Sequence, residues 1–373
     1  MLFFCFILSL CPITASSASV SVSAQSCIVL EAASTLPLYE KNADNKMPMA
    51  STTKIMTALI ALENASLDAI YTVSARACDV DGSQIGLLEG EQIPLSDLLY
   101  MLMLKSGNDA AVTIAEGVAG SVEDFVALMN KKAAELGCVS TNFTNPHGLP
   151  DDNHYTTARE LALIASEAYR NADFKKIVGS KTAKIGYLNL VLENSNRLLE
   201  LYEYSVGGKT GFTKKAGRCL VSFAEKDGVC LVAVTLNAGD DWNDHMKLFD
   251  ECFAYVSLHE IYAAGEYKEF RPVMNGVEPR APFINTQPLY TLSFKGNILK
   301  ASVCVDLPVY VFGRVEAGQS MGYIYIKYGD AIISSSPLAA AQTVLIGTDT
   351  VSRGTIFFRN LKRIFSFNIA LRK

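Results

Sequence analysis

A helix that is apolar on nearly every side is the feature that most limits how this chain can fold. After a first turn that begins at Ser51, the sequence STTKIMTALIALE is almost entirely apolar or small through Glu63. A surface helix would carry polar residues along one face, and this segment offers no such face. Other elements must therefore enclose it, which requires a sizeable domain.

The length and composition of the chain meet that requirement. It has 373 residues, of which 50% are hydrophobic and 19% are charged, so a large core in two domains is expected. The net charge of -5 is mild and provides no basic surface. We therefore expect no nucleic-acid partner.

Helical and strand patterns alternate between residues 27 and 262. Helices are predicted over 51–63, 95–105, 109–119, 122–136, 157–169 and 244–256, and a strand over 27–30. Two further strands, 217–224 and 229–236, flank a Lys-Asp-Gly turn and predict a hairpin. Helices against an antiparallel sheet make an α+β domain, which we place at 25–262.

The sequence after this domain is typical of a small β-sandwich-like domain, which we place at 263–350. Short strand patterns at 289–294, 309–312 and 323–328 are separated by Gly and Pro. No constellation of chemistry-bearing residues occurs there, so a structural or docking role is favoured.

Both ends of the chain suggest an exported protein. Residues 1–24 resemble a signal peptide, with an apolar run over 2–10 and cleavage after Ala18 or Ala24, although no basic residue precedes the run. Residues 351–373 predict an amphipathic helix that lies on an anionic membrane surface. Its apolar face would contain Phe357, Leu361, Ile364, Phe365 and Leu371. A solvated helix or a partner-docking segment is the alternative for this tail. The predicted location is the outer face of the cytoplasmic membrane.

The spacing of the cysteines and histidines argues against a metal site. The seven cysteines after residue 24 are scattered singly without a CxxC pair, and the four histidines form no HExxH. We therefore predict no metal site and no cofactor. The odd, dispersed set also argues against a disulfide framework, and most of these cysteines are expected to be small core residues.

The first motif with chemical potential is the SxxK at the start of the apolar helix. Side chains three residues apart share a helical face, so Ser51 and Lys54 can meet. A serine hydroxyl needs a base to become a nucleophile, and a lysine serves as that base only when it is neutral. Burial and a second positive charge, for which Lys209 is the candidate, favour the neutral amine. The alternative is a helix-capping serine followed by an ordinary surface lysine.

Two more motifs follow in order. Ser106, Gly107 and Asn108 break two predicted helices and can project into a cleft, where a second hydroxyl and an amide would assist; a plain connecting turn is the alternative. Further on, Lys209, Thr210 and Gly211 form a KTG on a possible edge strand, where an extended substrate can add.

The KTG would bind a free carboxylate, and its glycine would let the substrate approach the backbone. A phosphate-binding P-loop is excluded, because position 203 is Glu203 where that motif needs Gly.

With these residues in hand, the chain resembles the D-alanyl-D-alanine carboxypeptidases among the low-molecular-mass penicillin-binding proteins. The ordered SxxK, SxN and KTG set is the one that penicillin-binding proteins and class A β-lactamases carry. The resemblance extends through YEKNADNKMPMASTTKIMTALIALE, GSQIGLLEGE, TNPHGLPDDNHYTTARELA and GGKTGFTKKAGRCLVSFAEKDG. It implies a β-lactamase/transpeptidase-like domain, then a small all-β domain and a C-terminal amphipathic helix.

The resemblance also implies roles for individual residues. Ser51 would attack the carbonyl between two terminal D-alanines of a peptidoglycan stem peptide, with Lys54 as proton acceptor and Ser106 passing a proton to the departing D-alanine. Asn108 would orient the site, and Lys209 and Thr210 would bind the carboxylate. The remaining substrate contacts would come from Gly211 and Phe212, the latter forming an oxyanion hole with Ser51 through backbone N–H groups. β-Lactams would acylate the nucleophile as substrate mimics.

Three alternatives remain at this point. A DD-endopeptidase would cleave crosslinks with the same residues. If the protein were a class A β-lactamase, its second domain and basic tail would have no role. A penicillin-sensing or wall-binding protein without activity would be free to lose the motif residues, which this chain retains.

Overall fold

The structure is a computed structural model, which describes residues 20–345 apart from 275 and 277. The predicted signal segment lies outside the described residues except for 20–24, and the predicted membrane helix at 351–373 lies wholly outside them. The chain forms two compact units, and the boundary between them falls after Ala254.

The first unit is an antiparallel sheet with helices on both faces. Its strands are β1 (Ser26–Glu31), β2 (Pro37–Lys41), β3 (Ile70–Thr72), β4 (Gln92–Pro94), β5 (Thr182–Lys184), β6 (Val191–Glu193), β7 (Ser205–Thr213), β8 (Gly217–Lys226) and β9 (Val229–Leu236). Its helices are α1 (Lys54–Asn64), α2 (Ala75–Cys78), α3 (Leu95–Leu104), α4 (Asn108–Ala119), α5 (Val122–Glu135), α6 (Ala158–Tyr169), α7 (Ala172–Gly179), α8 (Leu198–Leu201) and α9 (Asp241–Phe253). The main sheet has the strand order β2-β1-β9-β8-β7.

The core lies between this sheet and the helices on one face. Alternate residues of a strand point to opposite faces, and Val232 and Val234 of β9 join the same apolar cluster as α1, α3, α4 and α6. The other face of the sheet is covered by α9, which contacts β8 and β9. Helix α1 is buried from Lys54 through Ala61, so the central, enclosed helix predicted from its composition is confirmed.

Most predicted elements of this unit are present, with one clear error. The helix predicted over 244–256 begins earlier, at Asp241, and ends at Phe253. Its first turn contains Asp241 and Asp244, and negative charge stabilises a helix N-terminus. Its end is fixed by the next strand, where Val256 pairs with Phe294.

The second unit contains only strands among its described residues. They are β10 (Val256–Tyr262), β11 (Lys268–Met274), β12 (Arg280–Asn285), β13 (Leu289–Phe294), β14 (Asn297–Ile298), β15 (Ser302–Asp306), β16 (Val311–Phe312), β17 (Ser320–Tyr328) and β18 (Ala331–Ala340). They form sheets of order β10-β13-β14 and β15-β17-β18-β12-β11-β16 around an apolar core that includes Phe283, Ile324 and Leu338. Strand β10, which our sequence-based division assigned to the first domain, pairs here with β13.

The predicted core role of most cysteines is confirmed. Cys27, Cys138, Cys219 and Cys252 are buried, and the other three described cysteines are half-buried. No helix among the described residues combines the length and the apolar character needed to cross a membrane.

One buried histidine joins the sheet to α9. His245 is fully buried, with Nδ1 on the Ser222 hydroxyl and Nε2 at 2.9 Å from the Thr235 hydroxyl. Burial lowers its pKa from 6.5 to about 3. The ring therefore stays neutral in the folded protein at a pH where an unfolded histidine takes up a proton.

This difference predicts acid sensitivity of the first unit. Between pH 6.5 and 3 the unfolded chain binds a proton at His245 and the folded chain does not, so the free energy of unfolding falls as the pH falls. We expect His245→Leu to cost about 2 kcal/mol at pH 7, because two buried hydroxyls lose a partner. The same variant should flatten the pH dependence by about 1.4 kcal/mol per pH unit.

Urea unfolding at several pH values, followed by the fluorescence of the single tryptophan, Trp242, measures both effects. His259→Gln, at an exposed position on β10, is the control and should keep the wild-type pH dependence. A His245→Leu protein with unchanged acid sensitivity would contradict the assignment.

Candidate active site

The SxxK residues sit on a tight turn that leads into α1. A 3₁₀ turn covers Ala50–Thr53, and the α-helix begins only at Lys54. In 3₁₀ geometry the side chains at i and i+3 eclipse one another, and Lys54 Nζ lies 3.1 Å from Ser51 Oγ. The turn opens with Ala50 at φ +49°, a left-handed conformation that is unfavourable for a residue with a Cβ.

A hydrogen-bonded chain holds this strained residue in place. The Thr53 hydroxyl donates to the Ala50 carbonyl at 2.8 Å and lies 2.8 Å from His154 Nε2. The other ring nitrogen of His154 accepts the backbone N–H of Thr144 at 3.0 Å, so the ring proton is on Nε2 and points to Thr53. Burial lowers the pKa of His154 to about 4, which keeps this arrangement neutral.

The amine of Lys54 has three oxygen neighbours. Besides Ser51, its Nζ donates to Asn108 Oδ1 and to the backbone carbonyl of His147, both at 2.7 Å. A neutral amine has two N–H groups and one lone pair. Two carbonyl oxygens can take the N–H groups, which leaves the lone pair for the hydroxyl proton of Ser51.

The surroundings favour that neutral form. Lys54 is 0% exposed, and burial is the main reason why its pKa lies well below 10.5. The positive charge of Lys209 lowers the pKa further, as the sequence suggested, while Asp109 opposes the shift. The neutral amine that a general base requires is therefore reached at a much lower pH than in a solvated lysine.

The SxN residues lie at the break between α3 and α4. Ser106 has φ +63°, and this reversal of the chain brings Asn108, the first residue of α4, to Lys54. The Asn108 amide nitrogen donates to the Asp81 carbonyl at 2.6 Å. The hydroxyl oxygen of Ser106 is buried and has no hydrogen-bond partner among the described residues.

The KTG residues lie on β7, an edge strand of the main sheet whose one strand partner within 20–345 is β8. Lys209 is 1% exposed, and its amine donates to the Thr210 carbonyl at 2.9 Å. Burial lowers the pKa of Lys209 to about 7. A Cβ on Gly211 would lie 3.0 Å from the backbone nitrogen of Ser51, so the strand passes directly beside the turn. Phe212, the next residue, is 67% exposed.

Sequence reasoning missed the role of the loop that contains His147 and Gly148. The backbone carbonyl of His147 in this loop accepts a hydrogen bond from Lys54 directly. Gly148 lies so close to the turn that a Cβ there would be 2.0 Å from the Ala50 carbonyl oxygen. Backbone carbonyls carry no residue-type signal, so only the run NPHGLPDDNHYTTA as a whole could have drawn attention to it.

The comparisons with known proteins agree on one family. The sequence profile described as "D-alanyl-D-alanine carboxypeptidase" matches residues 13–240. The D-alanyl-D-alanine carboxypeptidase DacF of Bacillus subtilis is 31% identical over 336 residues, covering 86% of this chain and 85% of that protein. A D-alanyl-D-alanine endopeptidase of Pseudomonas aeruginosa is 34% identical, covering 49% of this chain and 61% of its own. The crystal structure of penicillin binding protein 5 from Haemophilus influenzae superposes with a TM-score of 0.64 at 26% identity, covering 88% of this chain and 100% of the other.

The contact between Gly148 and Ala50 predicts a large difference between two glycines that both have positive φ. Gly137→Ala should cost about 1–2 kcal/mol from backbone strain alone, because nothing lies within 4 Å of the added Cβ. Gly148→Ala should cost about 1–3 kcal/mol more, since the new Cβ meets the Ala50 carbonyl. Urea unfolding of the two variants measures the difference, and equal destabilisation would show that the turn is not braced by this loop.

Proposed function

The chain belongs to the D-alanyl-D-alanine carboxypeptidase family of serine peptidases, and from that premise we propose that Ser51 is its nucleophile and Lys54 its general base. The observation that carries this proposal is the position of the Lys54 amine. It lies 3.1 Å from the Ser51 hydroxyl, and both of its N–H groups have other acceptors. A neutral amine in that setting can only use its lone pair to accept the hydroxyl proton.

The proposed reaction is acyl transfer in two steps. As Lys54 takes the hydroxyl proton, Ser51 Oγ attacks the carbonyl carbon between the two terminal D-alanines of a stem peptide. The C–N bond then breaks, the terminal D-alanine leaves as an amine that receives a proton by way of Ser106, and an ester to Ser51 remains. Water hydrolyses this ester and regenerates the hydroxyl. The Ser106 hydroxyl, for which the described part of the chain offers no hydrogen-bond partner, lies beside Asn108 in the same turn, which supports its assignment to the proton relay.

We propose that the substrate binds along edge strand β7. An extended peptide adds to an unpaired edge through backbone hydrogen bonds, and Gly211 keeps the strand close to the Ser51 backbone. We propose that the Thr210 hydroxyl binds the terminal carboxylate and that Lys209, buried beneath the strand, contributes its charge. Backbone N–H groups of Ser51 and Phe212 would stabilise the oxyanion, which typically lowers the barrier by about 3–4 kcal/mol per donor.

Crosslink cleavage is the second candidate activity. The relative from Pseudomonas aeruginosa is named an endopeptidase, and its alignment covers 49% of this chain. The same serine and lysine would serve, and only the length of the leaving group differs.

We also propose where the enzyme works. Peptidoglycan, the substrate of this family, lies outside the cytoplasmic membrane, so residues 1–24 would direct export. The sequence of 351–373 combines five apolar positions on one face with six basic residues, which supports binding to an anionic membrane surface.

Labelling with a fluorescent penicillin tests the nucleophile and the base. Ser51→Ala should give no covalent band, and Lys54→Arg should label about 10²–10⁴-fold more slowly, because a guanidinium does not give up its proton. Lys105→Arg, at an exposed lysine beside the SxN turn, should label at the wild-type rate. A persistent band in Ser51→Ala would remove Ser51 as nucleophile. On substrates, a carboxypeptidase releases D-alanine from a pentapeptide ending in D-Ala-D-Ala, whereas splitting of crosslinked dimers would reveal an endopeptidase.

Membrane binding is tested on the full chain with vesicles that contain phosphatidylglycerol. Replacing Leu361 and Phe365 by Glu should abolish co-sedimentation, because both belong to the predicted apolar face. The control, Ser366→Glu on the opposite face of the predicted helix, adds the same kind of charge and should retain most of the binding. Equal loss in both proteins, or none in either, would contradict the anchor.

A further inference from the structure

A buried carboxylate outside the three motifs holds one wall of the site. Asp109, 1% exposed, follows Asn108 in the first turn of α4. Its Oδ2 accepts the backbone N–H groups of Ile85, Gly86 and Leu87 at 2.8, 2.9 and 3.2 Å. This one side chain therefore fixes the middle of the loop formed by residues 79–91, here called the 79–91 loop, to the start of the helix.

The 79–91 loop in turn fixes the orientation of Asn108. The Ser83 carbonyl accepts the backbone N–H of Asn108 at 2.7 Å, and the Asp81 carbonyl accepts its side-chain amide nitrogen at 2.6 Å. A carboxamide has one donor end and one acceptor end. With its nitrogen on the loop, the amide must present its oxygen to Lys54, as observed at 2.7 Å.

The opposite orientation would disable the base. If the Asn108 amide turned over, its N–H would face the amine of Lys54 and donate to the lone pair that the proton of Ser51 needs. The proposed chemistry therefore depends on the Asp81 carbonyl staying in place.

We propose that Asp109 is a positioning residue for acylation, which holds the 79–91 loop so that Asn108 keeps its oxygen on Lys54. The proposal rests on the roles given above to Ser51 and Lys54. Asp109 touches no substrate in this assignment and acts through Asn108.

The packing around Asp109 supports its role in holding the 79–91 loop against the start of α4. A Cβ on Gly107, the middle residue of the SxN motif, would lie 2.8 Å from Asp109 Oδ1 and 2.8 Å from the Ile85 side chain, so this glycine makes room for the contact. The end of the loop has a separate attachment, since Glu91 accepts the Leu88 N–H at 2.8 Å and the Tyr187 hydroxyl at 2.7 Å. Loss of Asp109 should therefore release the segment around Asp81 without detaching the whole loop.

Asp109 also has an electrostatic effect that a purely structural residue would not have. The charged groups that act on Lys54 are Lys209, which lowers its pKa, and Asp109, which raises it. The nearby ring of His147 is neutral, with a pKa of about 3. Removing the carboxylate charge should lower the pKa of Lys54 further.

The test is the rate of acylation by a fluorescent penicillin as a function of pH, normalised to the folded protein. Both oxygens of Asp109 accept backbone N–H groups, Oδ1 from Ala110 and Oδ2 from the loop, so the amide of Asp109→Asn leaves one of them facing a donor. The loop should therefore shift, misalign the base and slow acylation at the pH plateau by about 10- to 100-fold. At the same time, the acid limb of this variant's profile should move to lower pH. Asp109→Glu keeps the charge but displaces it by one methylene. Acylation of this variant should therefore be slower than in the wild type, while the acid limb of its pH profile stays at the wild-type position. If the Asn variant fails to fold, the Glu variant carries the test.

The matched control is Asp97→Asn. Asp97 is also buried and accepts a backbone N–H, that of Tyr187 at 2.7 Å, but it does not contact the part of the loop beside Asn108. It should acylate at the wild-type rate with the wild-type profile. Asp109 variants that acylate like wild type, or Asp97→Asn slowed to the same extent, would overturn the proposal. A wild-type protein without a Ser51 label would instead refute the proposed function, so the two failures are distinguishable.

Discussion

A lysine amine withdrawn completely from water is the constraint around which the first unit is built. Burying an amine in its charged form costs several kcal/mol or more unless every proton finds an acceptor. Three oxygens surround Lys54, and each comes from a different part of the chain: the Ser51 turn, the start of α4 and the loop at His147. Together with burial and the charge of Lys209, this arrangement makes the neutral amine accessible, and it explains why three distant segments must meet at one point.

Two residues with strained backbone lie in the segments that meet at Lys54. Ala50 and Ser106, each within two residues of a hydrogen-bond partner of Lys54, adopt left-handed conformations. Such residues persist only when their surroundings fix them. His154 and Thr53 brace the first turn, while Asn108 and Asp109 secure the second to the 79–91 loop. Hydrogen bonds to neighbouring segments therefore hold both strained turns in place.

The unpaired edge of β7 complements this rigid cluster. An exposed edge is usually a site of unwanted pairing, yet here it runs beside Ser51 and carries Gly211 where a side chain would obstruct the turn. The edge thus has the character of a template for an extended peptide. The second unit contributes none of the residues named in the site, and its six-stranded and three-stranded sheets enclose a core of their own.

The sequence by itself determined which elements form and which residue types can react. The apolar run after Lys54 predicts an enclosed helix, and the strand-like runs of β8 and β9 on either side of the Lys-Asp-Gly turn predict a hairpin. The three motifs supply the serines, the lysines and the amide. These features are local, since helical and strand periodicities are read within a few turns of chain. Local patterns predict the ends of helices less accurately than their existence, as the helix that begins at Asp241 shows.

Only the tertiary structure decided which backbone groups complete the site. The carbonyls of His147 and Asp81 have no signature in residue type, because any residue supplies a carbonyl. Gly148 and Asp109 are visible in the sequence, but their neighbours, the Ala50 carbonyl and the 79–91 loop, are not. Their positions depend on contacts between segments that are many residues apart. The residue types proposed for the chemistry could therefore be identified from the sequence, whereas the hydrogen-bond partners of the Lys54 amine depend on where the folded backbone places its oxygens.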